Sequence, residues 1–202
     1  MTSFFIDPDI RRAETLPSEF YTRDDVFAAM KTAVFDRTWH WVGDVHTCVP
    51  PNLNVAPLTL LEGMVNEPLL LVRQSNGDIK CLSNVCTHRG NLLIGEACKA
   101  RQLVCGYHGR RFELDGAFKS MPEFEAAIDF PRPCDSLCSF DLKSWGQQLF
   151  VSLDPAFDFS GVIDAMNERV GFLALDQFKH DPTRDNEFTV EGHWALYCDN
   201  YL

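Results

Sequence analysis

The chain has 202 residues, 46% of them hydrophobic, with 16 Phe and 4 Trp, and 18 basic against 29 acidic side chains leave a formal net charge of −11. This is enough apolar material for the core of one ordinary domain, or of one small domain with part of another, and the acidity argues against nucleic acid or an anionic membrane as a partner. No apolar run approaches the roughly 20 residues of a membrane helix, and Met1-Thr2-Ser3-Phe4-Phe5-Ile6-Asp7 lacks the basic start and long apolar stretch of a signal peptide, so no membrane association and a cytoplasmic location are expected.

In chain order, the first predicted element is a helix over roughly 23–36. Thr22 stands as its N-cap with Asp25 reaching back, and Val26, Phe27, Met30, Val34 and Phe35 follow at helical spacing. Trp39 and Trp41 alternate as in a strand. Short strands and turns come next. Pro68-Leu69-Leu70-Leu71-Val72-Arg73-Gln74 and Ile79-Lys80-Cys81-Leu82 flank Asn76-Gly77, a pair that suits a tight hairpin because both turn positions need positive φ. Arg111-Phe112-Glu113-Leu114 and Ala117-Phe118-Lys119 flank Asp115-Gly116 in the same way. A further apolar strand is expected over 147–153, and the spacing of these elements predicts a small antiparallel sandwich across roughly 39–153. Ser160 then reads as the N-cap of a helix carrying Val162, Ile163, Met166 and Val170 on one face. Phe188 to Cys198 reads as a strand leading to Asp199-Asn200-Tyr201-Leu202.

The residues that carry chemistry are Cys86-Thr87-His88-Arg89-Gly90 and Cys105-Gly106-Tyr107-His108-Gly109. The pattern is Cys-x-His, sixteen residues, then Cys-x2-His. Two short ligand pairs on separate loops can pinch one metal centre, with thiolate as the soft donor that iron–sulfur chemistry favours and imidazole completing a second iron. A Rieske 2Fe-2S centre uses two cysteines on one iron and two histidines on the other. Gly90, Gly106 and Gly109 allow tight turns and let backbone N–H groups approach the sulfurs, and such hydrogen bonds raise a cluster's potential. A four-coordinate zinc site would accept the same donors. The Cys-x-His spacing is unusual for zinc, and the glycine after each pair favours the cluster.

The other six cysteines, Cys48, Cys81, Cys98, Cys134, Cys138 and Cys198, are expected to be buried thiols acting as small hydrophobes. His40, His46 and His180 read as surface or structural residues, and His193, in an apolar stretch, as a satisfied core histidine.

The two motifs resemble the Rieske domain on the catalytic α subunit of the ring-hydroxylating oxygenase family. Trp39-His40-Trp41-Val42-Gly43 resembles the entry into that domain, Trp145-Gly146 and Leu149-Phe150-Val151 its last strands, and His193-Trp194-Ala195-Leu196-Tyr197-Cys198-Asp199-Asn200-Tyr201 the approach to the catalytic iron. The resemblance implies a mainly β fold: a Rieske-type antiparallel β-sandwich with two cluster-binding loops, flanking helices and the start of an α+β catalytic domain. It divides the chain into an N-terminal helical segment, 1–38, that packs on the catalytic domain; a Rieske domain, 39–153; and the start of the oxygenase domain, 154–202. It makes Cys86, His88, Cys105 and His108 the ligands of the 2Fe-2S cluster and puts Asn200 near a mononuclear iron(II).

The activity implied is that of a mono- or dioxygenase. An NAD(P)H-dependent reductase or a ferredoxin supplies electrons to the cluster. The cluster passes them to the mononuclear iron, which activates O2 to hydroxylate an organic substrate, and the full-length assembly is a homotrimer. The residues that complete the catalytic iron site in the family lie beyond Leu202. Two positions depart from the family pattern: Arg110 where Trp often follows the second His-Gly, and His193 where Asn often precedes the Trp of the catalytic-domain segment. The Rieske proteins of the cytochrome complexes carry a disulfide between their cluster loops, and Asn91 and Tyr107 stand at the matching positions here, so that group does not fit. The alternative reading is a stand-alone Rieske electron-transfer protein without its own catalytic iron.

Overall fold

A computed structural model describes residues 4–201. The chain divides into two compact units, one built from the segments up to Phe35 and from Asp181 onward, the other from Asp36–His180.

The smaller unit begins with α1 (Ser18–Thr22) and α2 (Asp24–Ala33). The expected helix is present, and Val26 and Met30, one turn apart, are its buried residues. Its start differs from expectation. The Thr22 hydroxyl donates back to the Ser18 carbonyl at 3.0 Å, closing α1. Extended Arg23 (φ −91°, ψ 128°) then precedes α2 and binds the Asp25 carboxylate at 2.6 Å, so Thr22 caps nothing and Asp25 is spent on an ion pair. Phe35–Arg37 forms a 3-10 turn instead of continuing α2.

The larger unit opens with β1 (His40–Asp44) and α3 (Val45–Cys48), where the Asp44 carboxylate accepts the His46 N–H at 2.8 Å. It continues through β2 (Val55–Leu60), β3 (Glu67–Arg73), β4 (Ile79–Ser83), β5 (Leu103–Val104), β6 (Arg111–Phe112), β7 (Phe118–Ser120), β8 (Ser139–Trp145) and β9 (Gln148–Ser152). Six strands form one antiparallel sheet in the order β1-β9-β8-β4-β3-β2, and β5-β6-β7 form a second. The sandwich expected from the turn spacing is therefore present. Both predicted hairpins close, but positive φ is taken only by the glycine of each pair, Gly77 (φ 94°) and Gly116 (φ 93°), and not by Asn76 or Asp115 as expected. At Gly116 a Cβ would also lie 3.1 Å from Leu82 Cδ2, so the position has neither the backbone freedom nor the room for a side chain.

Strand β3 is an almost unbroken apolar run because both of its faces are buried. Leu70 and Val72 join Val55, Leu82, Leu93, Leu103, Phe112 and Leu137 in the core that faces the second sheet. Leu69 and Leu71 join Val49, Leu60, Cys81, Leu149 and Val151 in a core on the opposite face. Each such side chain contributes about 1.5–3 kcal/mol through burial.

Helix α4 (Ser160–Val170) follows, but its N-cap is Phe159; Ser160 lies in the first turn and gives its N–H and hydroxyl to the Asp158 carboxylate. The strand expected over Phe188–Cys198 is not formed. Phe188 and Val190 stand 85% and 61% exposed, so the alternation there serves no buried face, and Trp194–Tyr201 coils into α5. His193 starts that helix: its Nδ1 accepts the Ala195 N–H at 3.2 Å. Its Nε2 is buried without a hydrogen bond, so this ring is only half satisfied, contrary to expectation. Among the described residues, no helix is long and apolar enough to cross a membrane.

Candidate iron–sulfur site

Two loops of the larger unit carry the four predicted donors. The first leaves β4 and holds Cys86 and His88; the second joins β5 to β6 and holds Cys105 and His108. They are built alike. In the first, the Cys86 N–H donates to the Asn91 carbonyl (2.8 Å) and the Gly90 N–H to the Cys86 carbonyl (3.0 Å). In the second, the Cys105 N–H donates to the Arg110 carbonyl (2.8 Å) and the Gly109 N–H to the Cys105 carbonyl (3.0 Å). Gly90 (φ 68°) and Gly109 (φ 73°) take the left-handed conformation that each tight loop requires.

This repetition pairs like donors with like. The Cys86 and Cys105 side chains lie within hydrogen-bonding reach of each other, and the His88 and His108 ring centroids are 4.9 Å apart. The thiols are inside, 2% and 3% exposed, as members of the core between the sheets. The imidazoles lie further out: His88 is half-buried and His108 exposed, with the Tyr107 ring 3.7 Å from it. Among the described residues, no three His, Cys, Asp or Glu side chains are grouped as ligands of a single ion.

The electrostatics favour the ligating forms of Cys105 and His88 and oppose that of Cys86. Burial pushes the Cys86 thiol up. Burial also opposes ionisation of Cys105, but the N–H groups of Tyr107 and His108, the Cys86 thiol and the Asn91 amide outweigh it and hold Cys105 below the usual thiol range. The Asn91 Nδ2 lies 3.7 Å from Cys105 Sγ. Burial, the His108 ring, and the Arg89 and Arg110 charges hold His88 below its ordinary value, in the neutral form that binds metal. Thiols and neutral imidazoles, paired on two loops, fit a 2Fe-2S cluster with one iron at each end.

Sequence reasoning missed the residues that support the loops. Asn84, 3% exposed, accepts the Ile94 N–H (3.0 Å) and donates to the Ile94 carbonyl (2.8 Å), pinning the first loop at its base. Asn54 makes the same two-way contact with Ala100. A third segment, Pro133–Asp135, reaches both loops: the Asp135 carbonyl accepts from Thr87 Oγ1 (2.8 Å) and Arg110 Nη2 (3.1 Å). A polar residue beside the first cysteine motif was the available signal for Asn84; nothing local marks Asp135.

The remaining candidates lie elsewhere. His46 and His180 are exposed, and His40 is half-buried with Nε2 near Thr38 Oγ1 at 3.2 Å. Asn200 is on α5 in the smaller unit and exposed. Cys134, Cys138 and Cys198 are exposed, which corrects their reading as buried thiols; only Cys81 of that set is fully buried. Pro133–Asp135 is a surface turn held by its backbone and by Asp135, which leaves Cys134 outside the core.

The Rieske [2Fe-2S] domain family matches residues 47–141, which span both loops. Choline monooxygenase, chloroplastic, of Amaranthus tricolor is 29% identical over 93% of this chain and 42% of its own length. The carnitine monooxygenase oxygenase subunit of Escherichia coli (strain K12) is 28% identical over 95% of this chain and 50% of its own. The chain is thus similar to a Rieske [2Fe-2S] domain over 47–141 and to these oxygenases over nearly all of its own length. The Rieske [2Fe-2S] domain match indicates a 2Fe-2S cluster as the cofactor. The fold agrees: the apo form of the quaternary ammonium Rieske monooxygenase CntA superposes with a TM-score of 0.67 at 22% identity, covering 81% of this chain and 48% of that one. Naphthalene 1,2-dioxygenase from Rhodococcus sp. gives 0.60 at 22% identity, covering 71% and 32%. The chain spans about half the length of the curated relatives it matches.

Proposed function

We propose that Cys86 and Cys105 ligate one iron of the cluster, that His88 and His108 ligate the other, and that this centre is the electron-transfer part of a Rieske mono- or dioxygenase. The observation that carries the reading is the pairing of thiol with thiol and ring with ring on two loops of the same design. A zinc site would draw all four donors onto one ion; this pairing supports two irons. When bound, the cluster stores one electron at a time but has no open coordination position.

The chain's own residues do the rest. The buried cysteines anchor the centre in the core, and the outer histidines leave it accessible to a redox partner. We assign that partner as an NAD(P)H-dependent reductase or a ferredoxin, and the acceptor as a mononuclear iron(II) that activates O2 for hydroxylation of an organic substrate, in a homotrimeric assembly. The named relatives, oxygenases acting on choline and carnitine, support this reading. Asn200 is our candidate for a residue approaching that iron. We assign 39–153 to the Rieske domain, 1–38 to an N-terminal helical segment packing on the catalytic domain, and 154–202 to the start of the catalytic domain. Cysteines free of disulfides support a reducing compartment such as the cytoplasm.

The purified protein should be red-brown and hold about two irons and two acid-labile sulfides per chain. His108→Ala should lose the Rieske absorption and EPR spectra while keeping most of its circular dichroism. A colourless wild type with one zinc, or an unchanged Rieske spectrum in His108→Ala, would refute the ligand assignment.

A further inference from the structure

Arg110 follows the second cluster loop and is 2% exposed. Its Nη2 donates to Asp135 Oδ1 at 2.6 Å, and the side chains of this pair are 3% and 9% exposed. The guanidinium carbon lies 4.9, 5.6 and 5.8 Å from the ring centroids of Phe118, Phe130 and Phe112, and Nε makes no hydrogen bond. Asp135 Oδ2 accepts the Arg132 N–H at 2.7 Å. A buried pair of this kind is weak evidence for stability, because its desolvation cost cancels much of its attraction and an apolar pair often serves as well. Its placement is more telling. The Asp135 carbonyl receives Thr87, the residue between Cys86 and His88, and Arg110, two residues after His108, so one peptide group ties the two loops together. Charge held in a low-dielectric surround acts over a longer range than charge in water.

We propose that the Arg110–Asp135 pair is a positioning device for the cluster, locking the two loops to one another and holding the cluster's reduction potential between the values that either charge alone would impose. The proposal rests on the cluster assignment above. Reduction adds one negative charge to the cluster. A guanidinium behind the loops favours that state, a carboxylate opposes it, and the pair balances them.

The test is a redox titration of the full chain, followed by visible and EPR spectra at neutral pH, with iron and sulfide assayed in each sample. Arg110→Met removes the buried charge and leaves the carboxylate only the solvent-exposed Arg132, whose Nε lies 3.6 Å from Asp135 Oδ2. It should lower the reduced-to-oxidised ratio at a given potential about tenfold, which for a one-electron couple is about 59 mV downward. Asp135→Asn keeps the hydrogen-bonding shape but leaves the guanidinium uncompensated, and should shift the potential upward by a similar amount. The double variant should return close to wild type. Thr87→Val, which removes one tie and no charge, should move the potential less than either.

A merely structural pair would cost cluster occupancy in both charge variants without opposite shifts. Shifts in the same direction, or below about twofold in the ratio, overturn the proposal. Should Arg110→Met fail to hold its cluster, Asp135→Asn and Arg110→Lys decide. An upward shift in the first with little in the second supports the proposal, and no upward shift in the first overturns it. A wild type without iron and sulfide would instead overturn the cluster assignment.

Discussion

Cys81 and Cys134 are the same chemical group in opposite surroundings. Cys81 is 1% exposed on β4, and burial, with the neighbouring Cys138, pushes its thiol up to about 12. Cys134 sits within the surface turn Pro133–Asp135, and Cys138 and Cys198 are exposed as well. The thiolate is the attacking species, so reactivity follows both access and ionisation. Brief iodoacetamide treatment of the folded protein should label Cys134, Cys138 and Cys198 and spare Cys81. Raising the pH to mildly alkaline values should not recruit Cys81, since its proton is held beyond that range. Peptide mass mapping reads the outcome, and labelling of Cys81 at the rate of Cys134 would contradict its burial. Composition alone favoured the interior for all of these thiols. What decided otherwise for Cys134 and Cys138 was a loop route set by Asp135, not the cysteine's own preference.

Strand β3 shows what the pattern of apolar residues specifies at the level of an element. Its Leu69-Leu70-Leu71-Val72 run has no alternation because Leu70 and Val72 pack toward the cluster loops while Leu69 and Leu71 pack on the other face. Leu71→Ala should destabilise the protein by about 2–5 kcal/mol through lost burial and the cavity left behind. Thr59→Ala, exposed on β2, should change stability by less than about 0.5 kcal/mol. Urea unfolding compares the two, and equal midpoints would refute the two-faced packing. The β3–β4 and β6–β7 hairpins were legible because Asn-Gly and Asp-Gly encode their turns locally. Strand β8 was not read, although Phe140 and Leu142 alternate with Ser139, Asp141 and Lys143; its pairing with β4 and β9 is long-range. The same alternation at Phe188 and Val190 was read as strand, yet no buried face received it.

At the scale of the molecule, both hydrophobic cores and all four proposed ligands lie within Asp36–His180. Among the described residues, every named member of both cores belongs to this unit. A fragment spanning 36–180 should therefore fold, bind about two irons and show the Rieske spectrum of the whole chain. Analytical iron and sulfide content, the EPR spectrum and a cooperative thermal transition test this. A fragment that stays colourless after cluster reconstitution, while the full chain takes up iron, would show that the unit leans on the remaining residues.

The sequence by itself pointed to the candidate donors and placed the turns. Cys-x-His and Cys-x2-His, with glycines at Gly90 and Gly109, are local chemistry: the side-chain types state the metal preference, and the positive φ values state the loop shape. The two-loop architecture followed from their spacing. Tertiary structure alone decided which polar groups hold those loops. Asn84, Asn54, Arg110 and Asp135 hold the loops through partners between 10 and 48 residues away, and no periodicity or dipeptide announces such a partner. It also decided that residues 194–201 coil, because a strand needs a neighbour to take up its N–H and C=O groups, whereas a helix satisfies most of them within itself.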